Sequence, residues 1–228
     1  MQDRTAQADD RCEPYPLFVQ LHGEPVVVVG AGDVAARKVQ TLLDHGADVT
    51  VVAPEAVEPL RAHAAAGRIA WIRRRYEEGD LAGALFVVCA TNDRAVNEAV
   101  YAEAHGRHQL VNVVDVPDLC NAIVPSILER GRLQIAVSTG GASPTCAREI
   151  RRALERQFPA YWEEYLDLMA ELRVLVKARV PGPAAARVPV YEALQSCGLL
   201  ERIAAGESVD AEDEYRRVVA PLVEGSRA

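Results

Sequence analysis

The chain contains few cysteines and no long hydrophobic run. No apolar run approaches the roughly 20 residues that a membrane helix needs, and residues 1–11 lack the apolar core of a signal peptide. The five cysteines are odd in number and never form a C-x-x-C pair, which argues against a disulfide framework or a structural zinc site. We therefore expect a cytoplasmic protein with reduced thiols and no membrane association.

The chain has no excess of basic charge, since 33 acidic residues outnumber 25 basic ones. The formal net charge is -8, with acidic and basic residues mixed along the chain, which argues against non-specific nucleic-acid binding. All five histidines lie before residue 109, and none belongs to an H-x-x-x-H pair or an acidic cluster, so we expect no metal site. The length of 228 residues allows one nucleotide-binding domain and a smaller addition.

Short apolar runs alternate with segments of helical period through the first half of the chain. We expect strands at residues 26–29, 49–52, 69–72, 85–90 and 110–114, with helices between them. Continuous apolar strands joined by helices are typical of a Rossmann-type parallel sheet that is covered on both faces. Such sheets bind ligands at the carboxyl ends of their strands.

A glycine loop follows the first strand. Gly30 permits a tight turn, Gly32 lets the backbone approach a phosphate, and the helix that follows directs its positive end at the anion. Ala35 takes the place of the usual third glycine. This order of strand, glycine loop and helix predicts dinucleotide binding.

The residues after the second and fourth strands indicate which cofactor is bound and where it is contacted. The second strand ends before Glu55, and no arginine follows it to hold a 2′-phosphate, which favours NAD over NADP. After the fourth strand, Thr91 and Asn92 are placed to touch the cofactor, while Asp93 is suited to cap the next helix.

Asp115 is the strongest catalytic candidate. It follows the fifth strand at the ligand-binding edge, where we expect partial desolvation to favour a general acid or base. The alternative is that Asp115, close to Pro117, only forms a side-chain turn.

The pattern changes after Asp115. Residues 122–124 and 133–137 are expected to be extended, and helices are expected at 143–158, at 162–178 and in pieces after Pro189. A small strand pair leaves apolar surface that a second copy of the chain would cover, so we expect a homodimer.

A second glycine loop precedes the helix at 143–158, with Ser143 suited to cap that helix and Pro144 to begin it. We expect this loop and two arginines of the helix to bind an anionic substrate. The residues concerned are Ser138, Thr139, Gly140, Gly141, Arg148 and Arg152. Alternatively, the arginines of this helix form a solvated face paired with Glu149 and Glu155, or pair with the other subunit.

Four blocks that lie in order along the chain resemble precorrin-2 dehydrogenase, which is also the N-terminal part of multifunctional sirohaem synthases. The blocks are Tyr15–Phe18, Val29–Lys38, Asn112–Pro125 and Val137–Pro144. The polar residues 1–14 are expected to be a disordered tip. The resemblance implies an NAD-binding domain (15–115), a central dimerisation segment (116–157) and a helical domain (158–228).

The resemblance also implies an activity and its residues. NAD⁺ would accept hydride from precorrin-2 to give sirohydrochlorin, and Asp115 would be the essential aspartate. The cofactor loop would include Asp33 and Val34, with Pro54 and Glu55 after the second strand. The polycarboxylate substrate would suit the second glycine loop and the arginines.

Two other readings remain open. Some members of this family also insert Fe²⁺, but Thr139 stands where some carry serine, and no histidine follows His108, so we expect little or no chelatase activity. The chain is also too short for the methyltransferase half of the fused enzymes, so no use of S-adenosylmethionine is expected. A regulatory module that senses NAD without catalysis is the alternative from another class.

Overall fold

The structure is a computed structural model that describes residues 14–225. Apart from residue 14, the expected disordered tip lies outside the described residues, as does Cys12. The other four cysteines form no disulfide with one another. The chain divides into two compact units, one that ends at Val124 and one that begins at Pro125.

Strands and helices alternate in the first unit. Its elements are β1 (Pro25–Val29), α1 (Asp33–Asp44), β2 (Asp48–Val52), α2 (Glu58–Ala65), β3 (Ala70–Ile72), β4 (Phe86–Cys89), α3 (Arg94–Gly106) and β5 (Leu110–Val113). All strand pairs are parallel, in the order β3-β2-β1-β4-β5. The predicted Rossmann-type sheet is confirmed, and the strand order reverses between β1 and β4, which is where such sheets bind ligands.

The valines of β1 explain why this strand is central. Val26 and Val28 pack with α1 and α2 on one face, while Val27 and Val29 pack with α3 on the other. Every one of these valines is buried, as expected for β-branched residues in a strand covered on both faces. The sheet therefore holds the loops at its carboxyl edge on a rigid base.

The loop after β5 corrects one expectation. Residues 122–124 are not a strand, because the outer edge of β5 is occupied by Asn121. Its side chain accepts a hydrogen bond from the Val111 N–H (2.7 Å), and the N–H groups of Asn121 and Ala122 both donate to the Val111 carbonyl (3.1 Å each). Pro125 follows and lacks an N–H for a ladder. The strand begins only at Ser126.

The second unit opens with an antiparallel pair and is otherwise helical. Its elements are β6 (Ser126–Arg130), β7 (Leu133–Val137), α4 (Pro144–Gln157), α5 (Tyr161–Arg179), α6 (Val188–Ser196), α7 (Leu199–Ala204), α8 (Ala211–Glu214), a π-helical turn (Tyr215–Val219) and α9 (Ala220–Gly225). The helices from α5 onward share an apolar core centred on Leu172, Val176 and Leu194. Within residues 14–225, no helix is long and apolar enough to cross a membrane.

Candidate active site

The loop after β1 approaches β4 closely. Gly30 has φ +103°, its N–H donates to the Val52 carbonyl (3.0 Å), and a Cβ built on it would lie 2.4 Å from the Ala90 carbonyl oxygen. Both the positive φ and the missing Cβ are therefore required here. The chain can turn tightly into α1 only because this residue is glycine.

The N-terminus of α1 has no side-chain cap. Gly32 occupies the N-cap position, and the first backbone hydrogen bond of the helix runs from the Ala36 N–H to the Gly32 carbonyl (2.9 Å). A Cβ built on Gly32 would meet nothing within 4 Å, so the space in front of the helix is open. The N–H groups of the first turn are thus available to an anion, which fits the pyrophosphate of a dinucleotide.

A cavity of about 440 Å³ lies at the carboxyl ends of β1, β4 and β5. Four of the predicted site residues line it together: Val34, Thr91, Asn92 and Asp115. Its other lining residues come from the same loops and from the first turn of α3; they are Ala90, Arg94, Asn97, Val114, Val116, Asp118 and Leu119. The sheet therefore brings the cofactor loop and the candidate catalytic aspartate to one cleft.

The loop after β4 is held by its own polar groups. Asp93 caps α3 by accepting hydrogen bonds from the N–H groups of Ala95 (3.1 Å) and Val96 (3.3 Å), as predicted. The Thr91 hydroxyl accepts from the Asp93 N–H (2.9 Å). Asn92 is exposed, so its side chain is accessible to a ligand.

Asp115 has a left-handed backbone, with φ +59°. It lies in a tight turn in which the Val116 N–H donates to the Val113 carbonyl (3.2 Å). The Cys120 thiol supports the turn by accepting from the Val113 N–H (3.2 Å), and burial raises the pKa of this thiol. Aspartate tolerates this conformation, whereas a β-branched residue would be strained. The turn aims the Asp115 side chain at the cleft.

One expectation about Asp115 is wrong. We expected its carboxyl group to be partly desolvated, but the side chain is exposed. The reason is geometric: the residue sits at the tip of the turn beyond β5, past the point where the sheet and α3 bury the chain. Any desolvation must come from a ligand that fills the cleft.

Pro54 and Glu55 lie in the loop after β2. Both are exposed, and neither is among the residues that line the 440 Å³ cavity. Their position at the carboxyl end of β2, next to β1, is nonetheless where Rossmann sheets hold an adenosine ribose.

Two residues of the cleft region were missed by the sequence reasoning. Asn97 on α3 is buried; its amide donates to the Thr91 carbonyl (3.3 Å) and its oxygen accepts from the Cys89 thiol (3.1 Å). Lys38 on α1 is half-buried, and burial together with the neighbouring Arg37 lowers the pKa of its ammonium group. Lys38 follows the cavity-lining Val34 by one helical turn, and this spacing was a usable clue.

The second glycine loop, at residues 138–143, belongs to the second unit and satisfies its own donors. The Thr139 hydroxyl accepts from the Ser143 N–H and donates to the Ser143 carbonyl (3.1 Å each). The Ser138 hydroxyl accepts from the Gly140 N–H (3.2 Å). Ser143 caps α4 by accepting from the Cys146 N–H (3.1 Å), and Pro144 begins the helix, as predicted. Gly140 and Gly141 both have positive φ.

The arginines of α4 are partly engaged. Arg152 pairs with Glu149 (2.7 Å) and Arg151 pairs with Glu155, which is the paired-face alternative considered above. Arg148 donates only to the Thr145 hydroxyl (3.3 Å) among the described residues. Of the two arginines predicted to bind the substrate, Arg148 therefore has more remaining capacity for an anion than Arg152.

A larger open groove of about 660 Å³ runs along α5 in the second unit. Half of its eight lining residues are acidic, namely Glu163, Glu164, Asp167 and Glu171. A polycarboxylate would be repelled there, so size alone does not identify the substrate site. Among residues 14–225, no group of three or more His, Cys, Asp or Glu side chains is arranged to hold a metal ion.

Comparison with known proteins agrees with this geometry. Residues 17–126 match a family model described as putative NAD(P)-binding, and residues 130–157 match a model of the sirohaem biosynthesis protein central region. A solved structure of SirC, a precorrin-2 dehydrogenase, superposes with a TM-score of 0.75 at 30% identity, covering 89% of this chain and 98% of that one.

The curated relatives are longer proteins. A sirohaem synthase of Methylobacillus flagellatus is 45% identical over 73% of this chain and 36% of its own length. One from Pseudomonas entomophila is 40% identical over 92% of this chain and 44% of its own length. The chain thus spans roughly two fifths of these relatives. It belongs to the family formed by precorrin-2 dehydrogenases and the corresponding region of sirohaem synthases.

Proposed function

We propose that this chain oxidises precorrin-2 to sirohydrochlorin with NAD⁺, and that Asp115 is its acid or base. The observation that carries the proposal is the single cavity lined by both Val34, in the first turn of the uncapped helix α1, and Asp115. A module that only binds NAD⁺ would need the uncapped helix α1 but would not need Asp115 on the wall of the same cavity. The similarity to SirC, whose name gives this activity, supports the same choice.

The roles of the residues follow from their positions. Bound NAD⁺ supplies the hydride acceptor. The first turn of α1, with Gly30, Gly32, Asp33 and Val34, holds the pyrophosphate, and Thr91 and Asn92 contact the nicotinamide half. Pro54 and Glu55 contact the adenosine half. These residues only position the cofactor, and the reaction requires no proton transfer to or from any of them.

Asp115 carries the proton chemistry. Oxidation of the ring removes a hydride and a proton from the substrate, and the exposed carboxylate of Asp115 accepts that proton and returns it to water. Ser138, Thr139, Gly140, Gly141, Arg148 and Arg152 are the proposed ligands of the substrate's carboxylates. Of these, Arg148 is the strongest candidate because its guanidinium lacks a carboxylate partner among the described residues.

The organisation of the chain is proposed on the same basis. We assign residues 15–115 to NAD binding, 116–157 to dimerisation and 158–228 to a helical domain. The proposed homodimer would cover the half-exposed apolar residues of β7, among them Leu133, Ile135 and Val137. We propose a cytoplasmic location, where NAD⁺ is available and thiols stay reduced.

The test is an anaerobic assay with NAD⁺ and precorrin-2, in which absorbance follows NADH and sirohydrochlorin together. Asp115→Asn should lower turnover by about 100-fold or more, since it removes the proton acceptor. Its Kd for NAD⁺ should stay within about twofold, because the phosphate cradle is unchanged. The matched control is Asp48→Asn. Asp48 is exposed at the amino-terminal end of β2, away from the carboxyl ends of the strands, and this variant should keep wild-type turnover.

Two results would contradict the proposal. Tight NAD⁺ binding without oxidation of precorrin-2 would indicate the sensing module instead. Full activity in Asp115→Asn would remove the role of the aspartate. A parallel arm with Fe²⁺ and sirohydrochlorin measures sirohaem, and we expect no increase above the spontaneous rate.

A further inference from the structure

Helix α3 has a polar residue on its buried face. Its buried residues are Asn97, Val100 and Ala104, which follow one another at the spacing of a single helical face. Val100 and Ala104 belong to the apolar core of the sheet. Asn97 is only 5% exposed, and it is also one of the residues that line the 440 Å³ cavity. A buried amide is unfavourable unless its polar atoms are hydrogen-bonded, so its contacts indicate what it does there.

Two hydrogen bonds fix the orientation of the Asn97 amide group. Its nitrogen donates to the Thr91 carbonyl (3.3 Å), and since a carbonyl can only accept, the nitrogen must lie on that side. Its oxygen accepts from the Cys89 thiol (3.1 Å). Burial raises the pKa of Cys89 to about 12, so this thiol keeps the proton that it donates. The amide oxygen therefore faces the buried Cys89, and the amide nitrogen faces the loop after β4.

The amide nitrogen of Asn97 has a second hydrogen to donate. An asparagine nitrogen carries two N–H groups, and within residues 14–225 the Thr91 carbonyl is the one acceptor for them. Because Asn97 lines the cavity, the remaining N–H is available to an oxygen atom of a bound ligand. The helix and the two hydrogen bonds hold this donor in place before a ligand arrives, which lowers the entropic cost of binding.

Nicotinamide is the part of NAD⁺ that this cavity would receive. Asp115 lies on the cavity wall, and the hydride and the proton leave the same substrate, so the hydride acceptor must be close to Asp115. Nicotinamide accepts hydride at the ring carbon next to the one that bears its carboxamide. The carboxamide oxygen is a good acceptor, and a neutral asparagine adds no positive charge beside the cationic ring.

We propose that Asn97 is a cofactor-binding residue that donates its second N–H to the carboxamide oxygen of nicotinamide and so fixes the orientation of the ring in the cleft. The inference rests on the part of the proposed function that places NAD⁺ in this cavity. A half turn of the ring about its bond to ribose would exchange the two faces that it presents to the substrate. A fixed donor on one side of the ring favours one of these orientations over the other.

The first test measures binding and needs no precorrin-2. Asn97→Ala should raise the Kd for NAD⁺ by about tenfold, because a hydrogen bond from a largely buried donor is lost. The Kd for ADP-ribose, which lacks nicotinamide, should stay within about twofold of the wild-type value. Isothermal titration measures both ligands, and circular dichroism checks that the variant is folded. If Asn97→Ala does not fold, Asn97→Ser takes its place, since the serine side chain ends before the position of the amide nitrogen.

The matched control is Cys89→Ala. This variant removes the hydrogen bond to the Asn97 oxygen but leaves both N–H groups of the amide. Its ratio of the Kd for NAD⁺ to the Kd for ADP-ribose should therefore stay within about twofold of wild type.

A second test changes the cofactor instead of the protein. Thionicotinamide adenine dinucleotide has sulfur in place of the carboxamide oxygen, and sulfur is the weaker acceptor. Wild type should bind NAD⁺ about fivefold more tightly than this analogue, whereas Asn97→Ala should bind the two about equally. Equal binding of the two cofactors by wild type would contradict the contact.

The outcomes separate the two proposals. If Asn97→Ala weakens the binding of NAD⁺ and ADP-ribose equally, Asn97 only supports the loop after β4 and the inference is wrong. An unchanged Kd for NAD⁺ overturns it as well, and a higher KM for precorrin-2 in that case would assign the N–H to the substrate. A wild type that distinguishes the ligands as expected but does not oxidise precorrin-2 would refute the proposed function and leave the nicotinamide contact in place. A wild type that binds no NAD⁺ would refute both.

Discussion

The two glycine loops that lead from a strand into a helix differ in how they satisfy the helix N-terminus. Before α1, Gly32 provides no side chain and the space in front of the helix is open. Before α4, Ser143 caps the helix and Thr139 closes the loop with its hydroxyl. Similar sequence patterns therefore give one loop with free donors and one whose donors are largely used internally.

This difference indicates that the loop before α1 binds a ligand, whereas the loop before α4 is stabilised by its own side chains. Free N–H groups at a helix start attract anions, and a glycine N-cap costs a helix only about a few tenths of a kcal/mol relative to Ser, Thr or Asp. The loop before α1 carries that loss, which is consistent with a ligand that completes it. The loop before α4 instead relies on its own side chains and keeps fewer free donors for an anion, which makes Arg148 the strongest of its proposed carboxylate ligands.

The largest effect should come from Gly30→Ala. The added methyl group would lie 2.4 Å from the Ala90 carbonyl oxygen at a positive φ, so the loop must move. We expect the free energy of unfolding to fall by about 3 kcal/mol and NAD⁺ affinity to fall by about 100-fold or more. Isothermal titration and urea denaturation measure the two quantities.

Gly140→Ala is the matched control for that variant. Gly140 also has a positive φ, but an added Cβ would meet nothing within 4 Å. It should cost only about 1 kcal/mol and leave NAD⁺ binding unchanged. Equal losses of NAD⁺ affinity in both variants would show that the two loops do not differ as described.

An intermediate effect is expected from Gly32→Asp, which gives α1 the cap that it lacks. The backbone of Gly32 is in the extended region, so aspartate fits without strain. The carboxylate would occupy the donors and repel the pyrophosphate, and NAD⁺ affinity should fall by about 10- to 100-fold. The free energy of unfolding should rise by a few tenths of a kcal/mol. Unchanged NAD⁺ affinity in a titration would refute the assignment of these donors.

The smallest effect is expected from Ser143→Ala, which removes the cap of α4. The free energy of unfolding of the second unit should fall by about 1 kcal/mol, with no change in NAD⁺ affinity. Each unit contains one tryptophan, Trp71 or Trp162, so fluorescence in a Trp71→Phe background reports on the second unit alone. A loss of NAD⁺ affinity here would contradict the separation of the two loops.

Strong local patterns made the first unit predictable. The valine runs of β1 and β2, the glycine loop and the helical period of α1 all favour the same structure, and the predicted strands lie within one or two residues of the observed ones. The caps at Asp93 and Ser143 were also predictable, because capping depends on a few adjacent residues.

Features that depend on distant contacts were not predictable in this way. The apolar run at 122–124 suggested a strand, but the side chain of Asn121 had already taken the edge of β5. The exposure of Asp115 depends on where the turn after β5 emerges from the fold. The π-helical turn at Tyr215–Val219 has no local pattern that distinguishes it from an α-helix.

The hydrogen-bonding groups at the free edge of β5 are already occupied, which affects how readily the protein aggregates in concentrated solution. Asn121 engages the Val111 N–H and the Gln109 carbonyl, and the Cys120 sulfur accepts from the Val113 N–H. A terminal strand normally offers such groups to any neighbouring molecule and so invites aggregation. Here a short loop blocks that side of the sheet, and this border cannot recruit a foreign strand unless the loop is first displaced.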